Sequence, residues 1–293
     1  MSSFDQPVPP AETVPHCYRH PERETYISCQ RCGRPICPDC MRQAAVGFQC
    51  PECVREGAAR TPQVRTSFGG RITSGSAAVT IVLIGLNVVA FLVANATGKI
   101  LGEFSQQLVL IQDGSIYRPS VDGVAQGAYW RLVSSTFMHF DLIHIAFNLY
   151  ALWLFGSYLE SQLGRWRYLS LYLLAGLAGS VCVYLLSDIR SYSLGASGSI
   201  FGLFGASLFV LLRQRRDVSQ LLVLLGLNLA ITFVLPNISW QAHLGGLAAG
   251  MAIGAAFAYA PRSHRQSIHV ASLVAVAVVC GVLVLLRTVT LTG

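Results

Sequence analysis

Three stretches of this 293-residue chain hold side chains able to do chemistry. In SLGASGSIFG, Gly195-x-Ser197-Gly198 opens an apolar run, and in WQAHLGGLAAG, His243 opens another. A serine and a histidine at similar depth on neighbouring helices meet the minimum for an activated nucleophile, hydrogen-bond reach between hydroxyl and imidazole. The third stretch is HFDLIHIAFNL, with His139, His144 and Asn148. His144 and Asn148 stand one helical turn apart on one face, so both can aim donors at a developing oxyanion. The Ser197 backbone N–H, at a helix start, is a further donor. Each stretch also has a plainer reading. Small residues four apart pack membrane helices, a histidine among apolar neighbours needs a polar partner whatever its use, and His144 with Asn148 is equally a metal site or a buried hydrogen-bonded pair.

These residues need helices to hold them, and composition says in what solvent. The chain is 53% hydrophobic and only 12% charged, against roughly a quarter charged in soluble domains. That points to a membrane protein. The net charge of +7 comes from arginines in short clusters between apolar runs, a membrane-topology pattern that argues against nucleic acid as a partner. Seven runs approach spanning length: Ala77 to Asn95, Leu142 to Leu159, Tyr168 to Ser187, Ser197 to Leu212, Val218 to Leu235, Ala242 to Ala260 and Val270 to Leu286. The shorter ones need neighbours to shield their ends. Gly198 and Gly202 lie one turn apart in the fourth run, and Ala242, Gly246, Gly250 and Gly254 form a small-residue stripe in the sixth. Such faces let two backbones approach, which a short Ser197 to His243 contact requires.

The first residues, MSSFDQPVPPAETVPH, lack the basic start and apolar stretch of a secretory signal, which predicts an N-terminus left in the cytosol. With that start, Arg165, Arg167, Arg213, Arg215, Arg216, Arg262 and Arg265 all fall on the cytosolic side, and the C-terminus falls outside. Lys99, Arg118 and Arg131 are spread through a long first outer loop, Thr97 to Asp141. A connection of that length serves function more often than linkage. Trp130 in it is either part of that function or an interface anchor.

Taken together and in order, Trp130-Arg131, His139-x4-His144-x3-Asn148, Gly195-x-Ser197-Gly198 and Ala242-His243 with its glycines resemble the rhomboid intramembrane serine proteases over about Ala77 to Ala260. The resemblance implies a six-helix core and a Ser-His dyad, with Ser197 as nucleophile and His243 as general base and then acid. It implies His144, Asn148 and the Ser197 N–H as oxyanion donors, and Gly195, Gly198, Gly246 and His139 as supporting residues. Where bacterial relatives often carry a tyrosine against the catalytic imidazole, this chain has Phe201, which keeps the ring and lacks the hydroxyl. The seventh run resembles an appended C-terminal helix.

Seven of the nine cysteines crowd into Cys17 to Cys53. They make four pairs at two-residue spacing: Cys17 with His20, Cys29 with Cys32, Cys37 with Cys40, and Cys50 with Cys53. Eight soft donors suit two closed tetrahedral zinc sites, structural and with no open position. The head resembles B-box-type fingers, which implies alternate pairing, Cys17, His20, Cys37 and Cys40 on one metal and Cys29, Cys32, Cys50 and Cys53 on the other; sequential pairing is the other choice. Cys182 and Cys280, alone in apolar runs, read as buried hydrophobes.

The expectation is an all-α polytopic membrane protein: a zinc-stapled cytosolic head over 1–57 that binds a cytosolic protein, a linker over 58–76, a rhomboid-like protease core over 77–260 and an extra transmembrane helix over 261–293. Its site is a serine endopeptidase in the cell membrane acting on transmembrane proteins, needing no cofactor for catalysis. An inactive rhomboid-like binder of transmembrane clients is the alternative. A transporter fits less well, because acids are nearly absent from the apolar runs.

Overall fold

The computed structural model describes residues 14–61, 66–70, 77–98, 102–117, 121–234 and 238–293. Lys99, Arg118, the end of the fifth run at Leu235 and linker residues 62–65 and 71–76 lie outside them. The chain forms two compact units, Met1–Gln63 and Val64–Gly293.

The first unit has little regular structure. Hairpin strands β1 (Arg42–Gln43) and β2 (Phe48–Gln49) precede helix α1 (Pro51–Arg60). Its interior is made of Cys17, Cys29, Ile36, Cys37, Cys40, Cys50 and Cys53. So small a core cannot offset the chain entropy of ordering the unit, so the cysteines must do more than pack.

The second unit is helical. Helix α2 (Ala78–Ala96) leads into the long loop, which folds as short pieces: α3 (Glu103–Leu108), β3 (Leu110–Ile111), α4 (Gly114–Tyr117) and α5 (Arg131–Ser134). Helix α6 (Leu142–Ala151) runs through a π turn at Leu152–Gly156 into α7 (Ser157–Leu163), one continuous 22-residue span. Then come α8 (Arg165–Leu186), β4 (Tyr192–Ser193), α9 (Ser197–Arg213), α10 (Ser219–Val234), α11 (Trp240–Tyr259) and α12 (Arg265–Thr292). Five of these spans are long and apolar enough to cross a membrane, and α9 and α10 are apolar but shorter, at 17 and 16 residues. At 1.5 Å per residue, α9 reaches only about 26 Å, less than the ~30 Å hydrocarbon core. Its burial explains why that length suffices: eleven of its 17 residues are buried.

The centre is the α8, α9 and α11 layer, with Leu171, Tyr172, Leu203, Ala206, Ile253 and Phe257 in one buried cluster. The small stripes of α9 and α11 mesh residue against residue. A methyl group added at Gly246 would fall on the Gly198 backbone, one at Gly250 on Gly202, and one at Gly254 on Ala206. Two polar anchors tie the periphery in. The Glu160 carboxylate accepts from the Val79 and Thr80 backbone N–H groups and the Thr80 hydroxyl at 2.9–3.0 Å, an anion at the positive end of α2. Arg167 is buried and donates to His269 Nδ1 at 2.8 Å, Gln266 Oε1 at 3.1 Å and the Gly69 carbonyl at 3.1 Å. It clamps α12 and the 66–70 turn to α8, so one of the cations expected to signal orientation also holds the helices together.

Candidate active site and metal centres

Ser197 is the first residue of α9, and the strand β4 delivers it. Antiparallel pairing of Tyr192–Ser193 with Leu110–Ile111 ties the preceding segment to the long loop. Gly195 N–H then donates to the Ser135 carbonyl at 3.0 Å. Gly195 has φ 130°, a conformation that side chains rarely adopt. A Cβ there would also come within 3.0 Å of the His144 ring. Glycine therefore serves two needs: the turn into α9 and room for His144.

His243 lies one turn into α11, behind the N-cap Ser239. Its Nε2 is 2.8 Å from Ser197 Oγ, and its Nδ1 is 2.6 Å from the Thr232 hydroxyl on α10. Phe201, one turn after Ser197, stacks on the imidazole with centroids 4.1 Å apart and planes 12° from parallel. The imidazole is thus fixed on one face and at both nitrogens. Gly198 and Gly246 flank this contact, so one of the close backbone approaches of α9 and α11 sits beside the Ser197 to His243 hydrogen bond.

His144 and Asn148 lie on α6, which Asp141 caps by accepting the His144 backbone N–H at 2.8 Å. Both line a cavity of about 1320 Å³ shared with Ser197 and His243. The Asn148 amide donates one hydrogen to the His144 carbonyl at 2.9 Å, leaving the second N–H of the –NH2 for the cavity. His139 does not line the cavity; it packs edge-on behind His144 at 5.0 Å. The cavity walls also include Ile143, Phe147 and Tyr150 of α6 and Leu224, Leu227 and Ile231 of α10, an apolar lining beside a polar floor.

Thr232 reads in sequence as one hydroxyl in an apolar run, and the only hint is Asn228 one turn before it. Arg131, a cation of the long loop that the sequence also pairs with Trp130 in the rhomboid-like pattern, is fully buried, donating to the Asp122 carbonyl at 2.8 Å, Gln106 at 2.6 Å and Val109 at 2.8 Å. Its guanidinium fork organises the long loop. The adjoining Trp130 is half exposed and donates through Nε1 to the Gln107 carbonyl at 3.0 Å.

In the head, alternate pairs converge. Cys17, His20, Cys37 and Cys40 form one group and Cys29, Cys32, Cys50 and Cys53 the other, each with its ligand atoms within 4.8 Å of one another. His20 Nδ1 is 3.8, 3.2 and 3.5 Å from the sulfurs of Cys17, Cys37 and Cys40, and the Cys32 and Cys50 sulfurs are 3.8 Å apart. A tetrahedral zinc with bonds of about 2.0–2.3 Å has donor-to-donor edges of roughly 3.3–3.8 Å, so the residues fit. The cluster chemistry asks for a cation. At Cys17 burial opposes ionisation, but backbone hydrogen bonds around Cys37, Arg19 and His20 prevail and bring the thiol down to about 6; at Cys40 burial and the neighbouring Cys17 and Cys37 push it up to about 11. In the second group Cys29 comes down to about 6, burial again opposing and backbone groups of Cys50, Arg31 and Cys32 prevailing. Burial and the crowding of Cys50, Cys32 and Cys29 push Cys53 up to about 12. Each group holds a ready thiolate beside a reluctant thiol, and a bound cation would let all of them ionise together.

A family model describing a rhomboid domain matches residues 126–260, the stretch that carries every cavity residue described above. Rhomboid protease GluP of Bacillus subtilis (strain 168) is 38% identical over 138 residues, 45% of this chain and 27% of that protein. YdcA of the same organism is 36% identical over 133 residues, 44% of this chain and 67% of YdcA. Rhomboid-type serine protease 2 of Emericella nidulans is 31% identical over 156 residues, 51% of this chain and 31% of that protein. The match therefore spans about a quarter of GluP and a third of the fungal protein, but two thirds of YdcA, and it falls on a multi-pass helical core. This chain belongs to the rhomboid family.

Proposed function

We propose that this rhomboid is an active intramembrane serine endopeptidase in which Ser197 and His243 form a catalytic dyad. The observation that carries the reading is the 2.8 Å contact between Ser197 Oγ and His243 Nε2, with the imidazole stacked on Phe201. Names of relatives such as rhomboid protease GluP support proteolysis at the level of the family.

In this reading Ser197 Oγ attacks the scissile carbonyl carbon while Nε2 of His243 takes the hydroxyl proton. The oxyanion is held by the Ser197 N–H, the free amide hydrogen of Asn148 and a ring N–H of His144. Collapse expels the leaving amine, which takes the proton from Nε2. Water, activated at the same nitrogen, then hydrolyses the acyl-enzyme and regenerates Ser197. Gly198 and Gly246 hold the helices close enough for the transfer. Phe201 supplies a stacking face without a hydroxyl. The apolar α6 and α10 walls suit a peptide segment arriving from lipid, and the polar floor suits water. A transmembrane substrate follows as the class.

For topology we propose the head in the cytosol and the C-terminus outside, from the arginine distribution. The head would bind two structural zinc ions, which stabilise its fold, and a cytosolic protein partner.

The test is cleavage of a model transmembrane substrate by the purified full chain in lipid, comparing wild type with Ser197→Ala and His243→Ala. Loss of cleavage in both variants supports the dyad. Cleavage surviving both removes it, and a wild type that binds the substrate without cutting it favours the inactive binder.

A further inference from the structure

The Thr232 hydroxyl is almost fully buried and makes two contacts: 2.6 Å to His243 Nδ1 and 2.7 Å to the Asn228 carbonyl one turn back on α10. A threonine hydroxyl has one proton to give. A carbonyl oxygen can only accept, and bonding to it is the usual local option for a helical threonine, so the proton goes to Asn228. Thr232 Oγ1 is then left to accept from His243, which places the imidazole proton on Nδ1. Nε2 keeps its lone pair, and Nε2 is the nitrogen 2.8 Å from Ser197. The opposite tautomer would present Ser197 with a donor and no base. Among the described residues His243 has no carboxylate as a hydrogen-bond partner.

We propose that Thr232 is a positioning residue that holds His243 in the Nδ1–H tautomer, a neutral hydroxyl backed by the Asn228 carbonyl standing where a triad has its acid. The inference rests on the Ser197–His243 reading. Thr232 and Leu221 are the buried side chains of α10 among the described residues, and the Thr232 contact is a polar tie from α10 to α11.

The experiment measures kcat and KM on a transmembrane substrate for full-length wild type, Thr232→Val, Thr232→Ser and Ser197→Ala. Valine keeps the branched shape and removes the hydroxyl. The expected result is a fall in kcat of about tenfold for Thr232→Val, the size of one buried hydrogen bond, with KM within about twofold and Thr232→Ser near wild type. Unchanged kcat in Thr232→Val, or Thr232→Ser as poor as valine, overturns the proposal; if Ser197→Ala is dead in the same series, the dyad stands without it. Cleavage by Ser197→Ala would sink both. Nitrogen-15 NMR of histidine-labelled wild type, with the signal assigned by its loss in His243→Gln, gives a readout independent of how the valine variant folds. A protonated Nδ1 and bare Nε2 support the assignment, and the reverse overturns it.

Discussion

Replacing Gly246 by alanine changes one methyl group in a helix that alanine otherwise favours. That methyl would sit 2.7 Å from the Gly198 carbonyl carbon and 3.1 Å from its Cα, with the carbonyl oxygen nearer still. Carbon atoms rest at about 3.5–4.0 Å, so clearing the carbonyl carbon alone separates the backbones by about 0.8 Å, and clearing the oxygen takes more than about 1 Å. Neither partner is a flexible side chain, so the helices themselves must part. His243 lies one turn before Gly246, and Ser197 adjoins Gly198, so the shift reaches the 2.8 Å hydrogen bond almost undiminished. A misplacement of about 1 Å costs on the order of 100-fold in rate, or ~2.7 kcal/mol of barrier. Overpacking adds roughly 1–3 kcal/mol of lost stability. The assay is kcat/KM on a transmembrane substrate beside thermal unfolding in the same lipid. Gly281→Ala on α12 is the control, because a methyl there meets nothing within 4 Å; it should leave activity unchanged. Gly246→Ala retaining activity within about threefold would refute the claim that glycine contact sets the dyad distance.

Other outcomes follow from single contacts. Phe201→Ala removes the ring stacked on His243, worth about 0.5–1.5 kcal/mol, and should lower kcat up to about tenfold, while Phe201→Tyr stays within about twofold of wild type. Arg131→Lys keeps the charge but loses the fork that reaches three carbonyls, so the unfolding midpoint in detergent should fall, by about 2–3 kcal/mol of stability, with the long loop becoming sensitive to limited proteolysis. Metal analysis should find two zinc ions per chain and about one in Cys40→Ser. A chelator should unfold the head, seen by loss of hydrogen-exchange protection over residues 14–61, without reducing fluorophosphonate labelling of the core.

Features that depend on local spacing were legible in the sequence. The apolar runs located the seven long helices among the described residues, six of them to within four residues and the last, Arg265–Thr292, five residues short at its start and six at its end, because a membrane span must satisfy its backbone internally and must be long. Ser197 and His243 were each weak signals alone and gained weight only together, beside the small-residue stripes and within the ordered pattern of the resemblance. The pairs of metal-ligand type were equally plain, although their alternate grouping came from resemblance to known fingers. What stayed hidden depends on partners far away in the chain. Nothing about Arg131 marks it as buried until Gln106, Val109 and Asp122 fold around it. The pairing of β3 with β4 joins residues about eighty positions apart through two-residue strands, too short for a periodic signal. Thr232 is a hydroxyl among leucines whose meaning depends on which face of α10 meets His243, and the hydrophobic pattern of a helix apolar all round does not encode that face.

The claim that matters most is that Ser197, activated by His243, is the nucleophile, and the site of covalent modification tests it most directly. The full chain is treated in lipid with a fluorophosphonate, digested and mapped by mass spectrometry. The expected result is a single adduct on Ser197, sparing the nearby Ser193 and Ser199, and lost in His243→Ala. An adduct on another serine, or labelling of Ser197 undiminished without His243, would contradict it.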